Sequence, residues 1–191
     1  HDALPIYMGL IKTIKESFAR ARALGMQAKA ELEEAARCRA MTRAEAAELS
    51  DEALWACVCF RLAALDEVPA EGPRRVAYTV DAFDREVQNG GLCQYFVNSS
   101  RETAPELEAA LSQIGAESCR KLFHDFVTEN EIDITRLDSF AIDRAEDFAA
   151  QNERYPFDDF DEDYYQLYER EPLDALCAAY VRGRLEDFFE R

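Results

Sequence analysis

Few residues of this sequence break secondary structure, and positively charged residues are far fewer than negatively charged ones. Seven glycines and six prolines in 191 residues leave long stretches uninterrupted, while 48% of the residues are hydrophobic. A chain with this composition folds into a packed globule and is not disordered. We therefore expect one sizeable hydrophobic core, which a chain of this length can bury.

Long apolar runs and targeting segments are also missing. No run approaches the roughly 18 consecutive apolar residues that a membrane span needs, and no stretch is built like a signal peptide. The six cysteines lie mostly inside apolar helical patterns, which is typical of reduced, buried thiols in a cytoplasmic protein. We expect a cytoplasmic protein with no membrane association, no zinc and no cofactor.

Basic residues are outnumbered, and unevenly so along the chain. There are 39 acidic and 22 basic residues, which gives a net charge of −17. Residues 1–50 contain eight basic and seven acidic residues, whereas residues 51–191 contain 14 basic and 32 acidic ones. Direct binding to a nucleic acid or an anionic membrane is disfavoured by repulsion, and a basic partner is favoured.

Apolar residues recur at helical spacing along nearly the whole chain, which predicts an all-α fold, a compact multi-helix domain with an N-terminal helical extension. A long helix or helical pair is expected from Met8 to about Ala40, and a capping box at Thr42 and Glu45 opens a short helix over residues 43–49. Pro69 to Pro73 reads as a loop. The remaining helices are expected near residues 51–68, 74–88, 92–98, 104–114, 116–128, 141–152, 158–170 and 173–189.

These patterns suggest three segments. Residues 1–7 precede Met8 and fit nothing that follows, so we expect them to be an artefact of cloning or sequencing. Residues 8–49 form the N-terminal helical extension, and residues 50–191 form a single helical domain of different charge character.

One segment combines aromatic residues, amides and two adjacent glycines. It reads Glu86-Val87-x-Asn89-Gly90-Gly91-x-x-Gln94-Tyr95-Phe96-x-Asn98-Ser99-Ser100, here called the signature segment. Glycine tolerates the positive φ that ends a helix, so a second short helix is expected to leave the glycines at an angle. The polar side chains either line a pocket or interface, or form a structural corner by bonding nearby helix-end and backbone groups. These side chains are Glu86, Asn89, Gln94 and Asn98.

An acidic run follows from Phe157 to Tyr165. Its aspartates have the spacing of the first ligands of a calcium loop, but Tyr164 stands where glycine is needed and Arg170 where a bidentate glutamate is needed. Carboxylates in the first turn of a helix are stabilised by its dipole. We therefore expect a helix start, with the aromatic residues packed inward and the carboxylates outward.

Further carboxylates join this run in a predicted negative surface. Asp143, Glu146 and Asp147 would share one helix face, with Cβ atoms roughly 5–6 Å apart. A compact chain of this length is about 40 Å across, and duplex DNA of that length carries on the order of 24 charges. The net charge is thus sufficient to imitate a duplex if it is gathered on one side. The predicted surface comprises Asp133, Asp138, Asp143, Glu146, Asp147, Asp158, Asp159, Asp161, Glu162 and Asp163.

Signals of catalysis are scarce. His124 stands beside Asp125, but adjacent residues on a helix do not face each other, and we expect a partly buried histidine. There is no Gly-rich phosphate loop, no H-E-x-x-H pattern and no nucleophile elbow. We expect a protein that is not an enzyme and has no catalytic residues.

The signature segment resembles that of the small acidic DNA-mimic proteins typified by DNA mimic protein nineteen. The resemblance extends from about Leu54 to the C-terminus and includes Ala104-Pro105-Glu106 and the pattern from Asp161 to Phe189. It implies an all-helical homodimer whose acidic groups imitate DNA phosphates and occupy the DNA-binding face of a helix-turn-helix transcription factor. The signature itself is not the mimic surface in that family. It is carried here by Glu86, Asn89, Gly90, Gly91, Gln94, Tyr95, Phe96, Asn98 and Ser99.

The favoured function is therefore that of an acidic binding protein that competes with DNA for a basic DNA-binding protein, such as a transcription regulator. Two alternatives stay open. An immunity-type inhibitor of a basic nuclease toxin would need the same negative surface. A ligand-binding or enzymatic domain would use Glu86, Asn89, Gln94 and Asn98.

Overall fold

The computed structural model describes residues 29, 30, 32–142, 144 and 146–190. The chain divides into two units, His1–Ala40 and Met41–Arg191. In the first unit, residues 32–40 form a helix, α1. The expectations for residues 1–7, and for most of the long helix from Met8, lie outside the described residues. The segment boundary expected at residue 50 stays a prediction.

Every regular element among the described residues is helical, which confirms the all-α prediction. Two 3-10 turns, Ser99–Thr103 and Leu137–Phe140, connect some of the α-helices. The α-helices of the second unit are α2 (Arg43–Ala47), α3 (Asp51–Ala63), α4 (Gly72–Val97), α5 (Ala104–Ile114), α6 (Glu117–Glu129), α7 (Asp147–Asn152), α8 (Phe157–Tyr168), α9 (Leu173–Arg182) and α10 (Leu185–Phe188).

Local capping explains where the first of these helices begin. Thr42 Oγ1 accepts a bond from the Glu45 N–H at 3.3 Å, and Glu45 Oε2 accepts one from the Thr42 N–H at 2.8 Å, which is the predicted capping box. Ser50 Oγ caps α3 by accepting from the Ala53 N–H. A capping side chain satisfies a helix-end N–H that would otherwise lack an intrahelical partner.

Several predicted boundaries were wrong. Helix α3 ends at Ala63 and not at Val68, and α4 starts at Gly72, inside the predicted loop. The helix expected over residues 173–189 is two helices, because Arg184 adopts a non-helical φ of −147° between them. Helix α7 begins at Asp147 and not near residue 141, so Glu146 and Asp147 lie at its start and do not share a long helix face.

The core is largely aromatic and is built around α4. Phe83 is fully buried, and its ring meets Tyr95 and Tyr164 edge-to-face, with centroids 5.3 and 5.8 Å apart. Phe96, also fully buried, lies 6.0 Å from the ring of Phe157. Such pairs contribute about 0.5–1.5 kcal/mol each beyond simple burial. Three of the four aromatic residues expected to pack inward from the acidic run do so, but the prediction was wrong for Tyr165, which is exposed. The three buried ones are Phe157, Phe160 and Tyr164.

The six cysteines form no disulfide bond with one another, and five of them are buried while Cys59 is half-buried. Burial raises the pKa of the Cys93 thiol to about 12. No described helix is both long enough and apolar enough to cross a membrane.

Candidate functional site

The signature segment lies where α4 changes direction. The backbone leaves helical geometry at Gly90 (φ −163°, ψ 27°) and Gly91 (φ 79°, ψ 176°), and helical geometry resumes at Leu92. The φ of Gly91 lies in the region that residues with a side chain rarely adopt. The predicted interruption of the helix at these glycines is therefore confirmed.

Asp161 of α8 occupies the space beside this kink. A Cβ atom on Gly91 would lie 2.0 Å from Asp161 Oδ2, and the Leu92 N–H donates a 2.8 Å hydrogen bond to Asp161 Oδ1. Burial raises the pKa of Asp161, although the bond from Leu92 opposes this shift. Asp161 is therefore half-buried against the signature segment and is not one of the fully exposed carboxylates of the acidic run.

Glu86 gathers three hydrogen bonds from the other side of the kink. Its Oε2 accepts from Gln94 Nε2 at 2.7 Å and from Asn98 Nδ2 at 2.8 Å, and its Oε1 accepts from Ser100 Oγ at 2.7 Å. Burial raises the pKa of Glu86, but the three hydrogen bonds together outweigh it, so the pKa is lowered overall. Glu86 thus stays ionised and ties the two arms of α4 together.

This cluster differs in detail from the corner that the sequence suggests. The amides of Gln94 and Asn98 bond to the carboxylate of Glu86. The sequence had suggested instead that they would bond to backbone groups. Asn89 and Ser99 are exposed, and the two aromatic residues of the segment, Tyr95 and Phe96, are fully buried in the core. Neither Glu86 nor its donors line any of three cavities of about 530, 330 and 300 Å3 that lie elsewhere in the described part of the chain.

Most of the predicted negative surface is exposed. Helix α8 presents two pairs of carboxylates at i and i+4, Asp158 with Glu162 and Asp159 with Asp163, and these spacings place them on one side of the helix. Asp143 lies outside the described residues. The exposed members of the surface are Asp133, Asp138, Glu146, Asp147, Asp158, Asp159, Glu162 and Asp163.

None of these exposed carboxylates forms an ion pair with any residue that the structure describes. Several of them bond to neutral groups instead: Asp133 accepts from Thr135, and Glu162 accepts from the Gln166 amide. Arg154, a nearby cation in the sequence, lies over the rings of Phe140 and Tyr155 and donates to the Ser139 carbonyl. The carboxylates found in ion pairs are Glu33, Glu34, Asp51, Asp81, Glu106, Glu108, Glu117 and Asp125.

Helix α8 is held against α4 by bonds from its inner and flanking side chains. The Tyr164 hydroxyl donates to Asp84 Oδ1, and the Tyr165 hydroxyl donates to the Val87 carbonyl at 3.0 Å. The bond between Leu92 and Asp161 is a third connection. The outward carboxylates of α8 are therefore carried on a helix whose middle is bonded to α4.

His124 is exposed, so the expectation of a partly buried histidine was wrong. Its Nδ1 lies 3.1 Å from both carboxylate oxygens of Glu108 on α5, while the neighbouring Asp125 pairs with Lys121. Among the described residues, no group of three or more His, Cys, Asp and Glu side chains has the geometry to hold a metal ion.

A family model described as DMP19-like protein matches residues 69–184. The match covers more than half of the chain and contains the whole signature segment, together with α4 to α9. The chain therefore belongs to the DMP19-like protein family. The match is narrower than the resemblance expected from Leu54 to the C-terminus. No curated protein and no solved structure matches the chain.

Proposed function

We propose that this protein is a DNA mimic, a non-enzymatic protein of the cytoplasm that competes with DNA for a basic DNA-binding protein, most simply a transcription regulator. Membership of the DMP19-like protein family supports this function. The observation that carries it is the set of exposed carboxylates on and before α8, which form no ion pair with any described residue.

The charge density of α8 is comparable with that of DNA. Asp158, Asp159, Glu162 and Asp163 extend over about 7.5 Å of helix at 1.5 Å per residue. They therefore supply one negative charge per ~2 Å, close to the one charge per ~1.7 Å of duplex axis. A basic surface that recognises phosphates by charge would be attracted to such a helix in the same way.

The signature segment has a structural role in this proposal. Gly91 lets Asp161 approach the backbone of α4, and the bond from Leu92 then fixes the part of α8 that carries the outward carboxylates. Glu86 braces the same corner from the other side. The segment therefore orients the negative surface without itself contacting the partner.

We further propose that the protein acts as a homodimer, as the family resemblance implies. A dimer would double the length of negative surface available to a partner that binds DNA as a dimer. Light scattering coupled to size-exclusion chromatography measures the mass directly. A mass of one chain over a wide range of concentrations would rule the dimer out.

Competition with DNA tests the proposed function. The tagged protein is used to capture partners from cells that carry its gene, at about 50 mM salt and again at about 500 mM, because exposed charge interactions are screened at the higher salt. A captured DNA-binding protein is then bound to a labelled fragment of its own DNA. We expect this protein to displace the fragment, which fluorescence anisotropy measures.

Two variants with the same change in net charge make the test specific. One neutralises the four outward carboxylates of α8 and is expected to lose displacement. The other neutralises four exposed carboxylates elsewhere and is expected to retain it. Capture of no basic DNA-binding protein at either salt concentration, or equal displacement by both variants, would contradict the proposal. The substitutions are D158N, D159N, E162Q and D163N in the first variant, and E48Q, D66N, E67Q and E102Q in the second.

A further inference from the structure

A cavity of about 530 Å3 lies between the start of α4, one side of α5 and the end of α9. Its volume falls within the range of about 300–1,000 Å3 that is usual for small-molecule sites. The cavity shares no lining residue with the signature segment or with the predicted negative surface. A ligand in this cavity would therefore occupy a site distinct from the surface proposed to compete with DNA.

The N-terminus of α4 borders this cavity through Gly72 and Pro73. No side chain caps this helix, and its first turn contains no acidic residue. The first N–H groups of a helix have no intrahelical partner, and the helix dipole makes that end positive. In a chain with a net charge of −17, this uncapped helix end is a local place where a negative group is favoured.

A buried hydroxyl also lines the cavity. Thr79 is fully buried, and its Oγ1 has no hydrogen-bond partner among the described residues. A buried polar group without a partner costs free energy, and threonines in helices commonly bond to a carbonyl of the preceding turn. Thr79 does not do so, and its hydroxyl therefore lies without a partner in the wall of the cavity.

Two arginines line the cavity, and only one of them is neutralised. Arg75 donates to both carboxylate oxygens of Glu106, at 2.7 and 3.0 Å. Arg184 lies over the Tyr180 ring at 4.1 Å and donates to the Tyr180 carbonyl, and it has no ion pair with any described residue. Glu71 also lines the cavity but is exposed, so water screens its charge.

We propose that this cavity binds a small organic anion with one carboxylate or phosphate group and a short apolar body. The guanidinium of Arg184 and the N-terminus of α4 receive the anionic group. Val76 and Ala109 contact the apolar body, and the hydroxyl of Thr79 bonds to a polar atom of the ligand. Arginine suits this role because its planar fork matches carboxylate and phosphate oxygens.

Titration of the full chain, followed by amide NMR shifts, tests this site. The probes are phenylacetate and phenyl phosphate, which distinguish the two anionic groups, and the neutral 2-phenylethanol. We expect saturable shifts at Gly72, Val76 and Ala109 with at least one of the two anions, and none with the alcohol. Arg184→Gln should weaken the binding by about tenfold or more, whereas Arg170→Gln, on an exposed arginine outside the cavity, should not.

A second variant separates loss of the site from loss of the fold. Ala109 is exposed on α5 and lines the cavity, so Ala109→Phe should fill the cavity while leaving the thermal unfolding curve unchanged. Thr79→Val keeps the side-chain shape and should weaken binding several-fold. The proposal is overturned if neither anion gives saturable shifts up to about 10 mM, a concentration that would reveal even millimolar affinity. It is also overturned if the alcohol binds equally well, or if binding survives both Arg184→Gln and Ala109→Phe.

Discussion

The backbone N–H of Leu92 donates a hydrogen bond of 2.8 Å to Asp161 Oδ1 and so joins the kink of α4 to the acidic run of α8. Asp161 is half-buried, while its neighbours Glu162 and Asp163 are exposed. One carboxylate of the run thus serves the fold, and those beside it remain available to a partner. The family signature and the acidic run are therefore two parts of one structural arrangement.

Gly91→Ala should destabilise the protein strongly. A Cβ atom at this position would lie 2.0 Å from Asp161 Oδ2, at a φ of +79° that alanine tolerates poorly. Backbone strain of about 1 kcal/mol or more would add to loss of the buried bond, worth about 1–3 kcal/mol. Urea denaturation measures the free energy of unfolding, and we expect a loss of about 3 kcal/mol from these two contributions.

Gly72→Ala is the matched control for this prediction. Gly72 has a φ of +78°, but no heavy atom lies within 4 Å of the position that its Cβ would occupy. Only the backbone strain should appear, at about 1 kcal/mol. Equal losses in the two variants would show that the contact between Gly91 and Asp161 contributes nothing.

Glu86→Gln should remove the bracing of the corner and change the acid stability of the protein. A neutral amide cannot accept all three of the bonds that Glu86 receives from Gln94, Asn98 and Ser100. We expect a loss of about 1 kcal/mol near neutral pH, a modest value because Glu86 is partly exposed to solvent. Glu102→Gln, an exposed change on the neighbouring 3-10 turn, should cost little.

The pH dependence of this loss gives a second measurement. The pKa of Glu86 in the folded protein lies below the ordinary value of 4.5. Its ionised form therefore stabilises the fold above that value, and the contribution disappears as the pH falls through the folded-state pKa. The difference in unfolding free energy between wild type and Glu86→Gln should be largest near neutrality and should narrow in acid. A difference that stays constant would contradict this assignment.

Much of the fold follows from local sequence signals. Thr42 and Glu45 carry a complete capping box, and the two glycines at residues 90 and 91 predict the kink, since both signals act through nearby backbone. The break at Arg184 was not predictable in the same way, because the apolar spacing of α9 continues into α10 across it. Periodicity reports which face is buried and does not report where the helical path stops.

The site was predictable only in part, for the same physical reason. The pattern of carboxylates and aromatic residues in the acidic run indicated which side chains face outward. The partnership of Asp161 with Leu92 joins residues 69 positions apart, and a helical pattern carries no information about such a contact. The convergence of Gln94, Asn98 and Ser100 on Glu86 likewise depends on the angle of the kink, which the sequence indicates without fixing its value.

Tyr164→Phe should lower the free energy of unfolding, because it removes a hydrogen-bond donor from the largely buried Asp84. Burial raises the pKa of Asp84, and the hydrogen bond from the Tyr164 hydroxyl opposes this shift. Removing that donor should cost about 1–3 kcal/mol near neutral pH, where Asp84 would be charged and poorly paired. The pKa of Asp84 should rise further in the variant. A carboxyl group whose pKa is raised by folding stabilises the folded state at a pH below that pKa, where it is protonated. The loss of unfolding free energy in Tyr164→Phe should therefore shrink as the pH falls.

Tyr165→Phe is the control for this change on the adjacent residue. Its hydroxyl donates to the Val87 carbonyl, but Tyr165 is exposed, so water can replace the lost donor. We expect a loss below about 1 kcal/mol that does not vary with pH. Equal pH profiles in both variants would mean that Asp84 is not responsible for the effect of Tyr164→Phe.

The outward carboxylates of α8 should have opposite effects on stability according to their place in the helix. Asp158 and Asp159 lie in the first turn, where the helix dipole stabilises negative charge by about 0.3–1 kcal/mol each. Glu162 and Asp163 lie one turn further along and mainly repel Asp158 and Asp159, at a cost of a few tenths of a kcal/mol per pair. Neutralising either aspartate of the first turn should therefore lower the unfolding free energy, whereas Glu162→Gln and Asp163→Asn should raise it slightly.

Thermal unfolding at low ionic strength measures the four single variants, and added salt should reduce both effects through screening. If all four substitutions were stabilising, dipole stabilisation at the start of α8 would be excluded; if all four were destabilising, the outward carboxylates would have to be bound to cations that offset their repulsion.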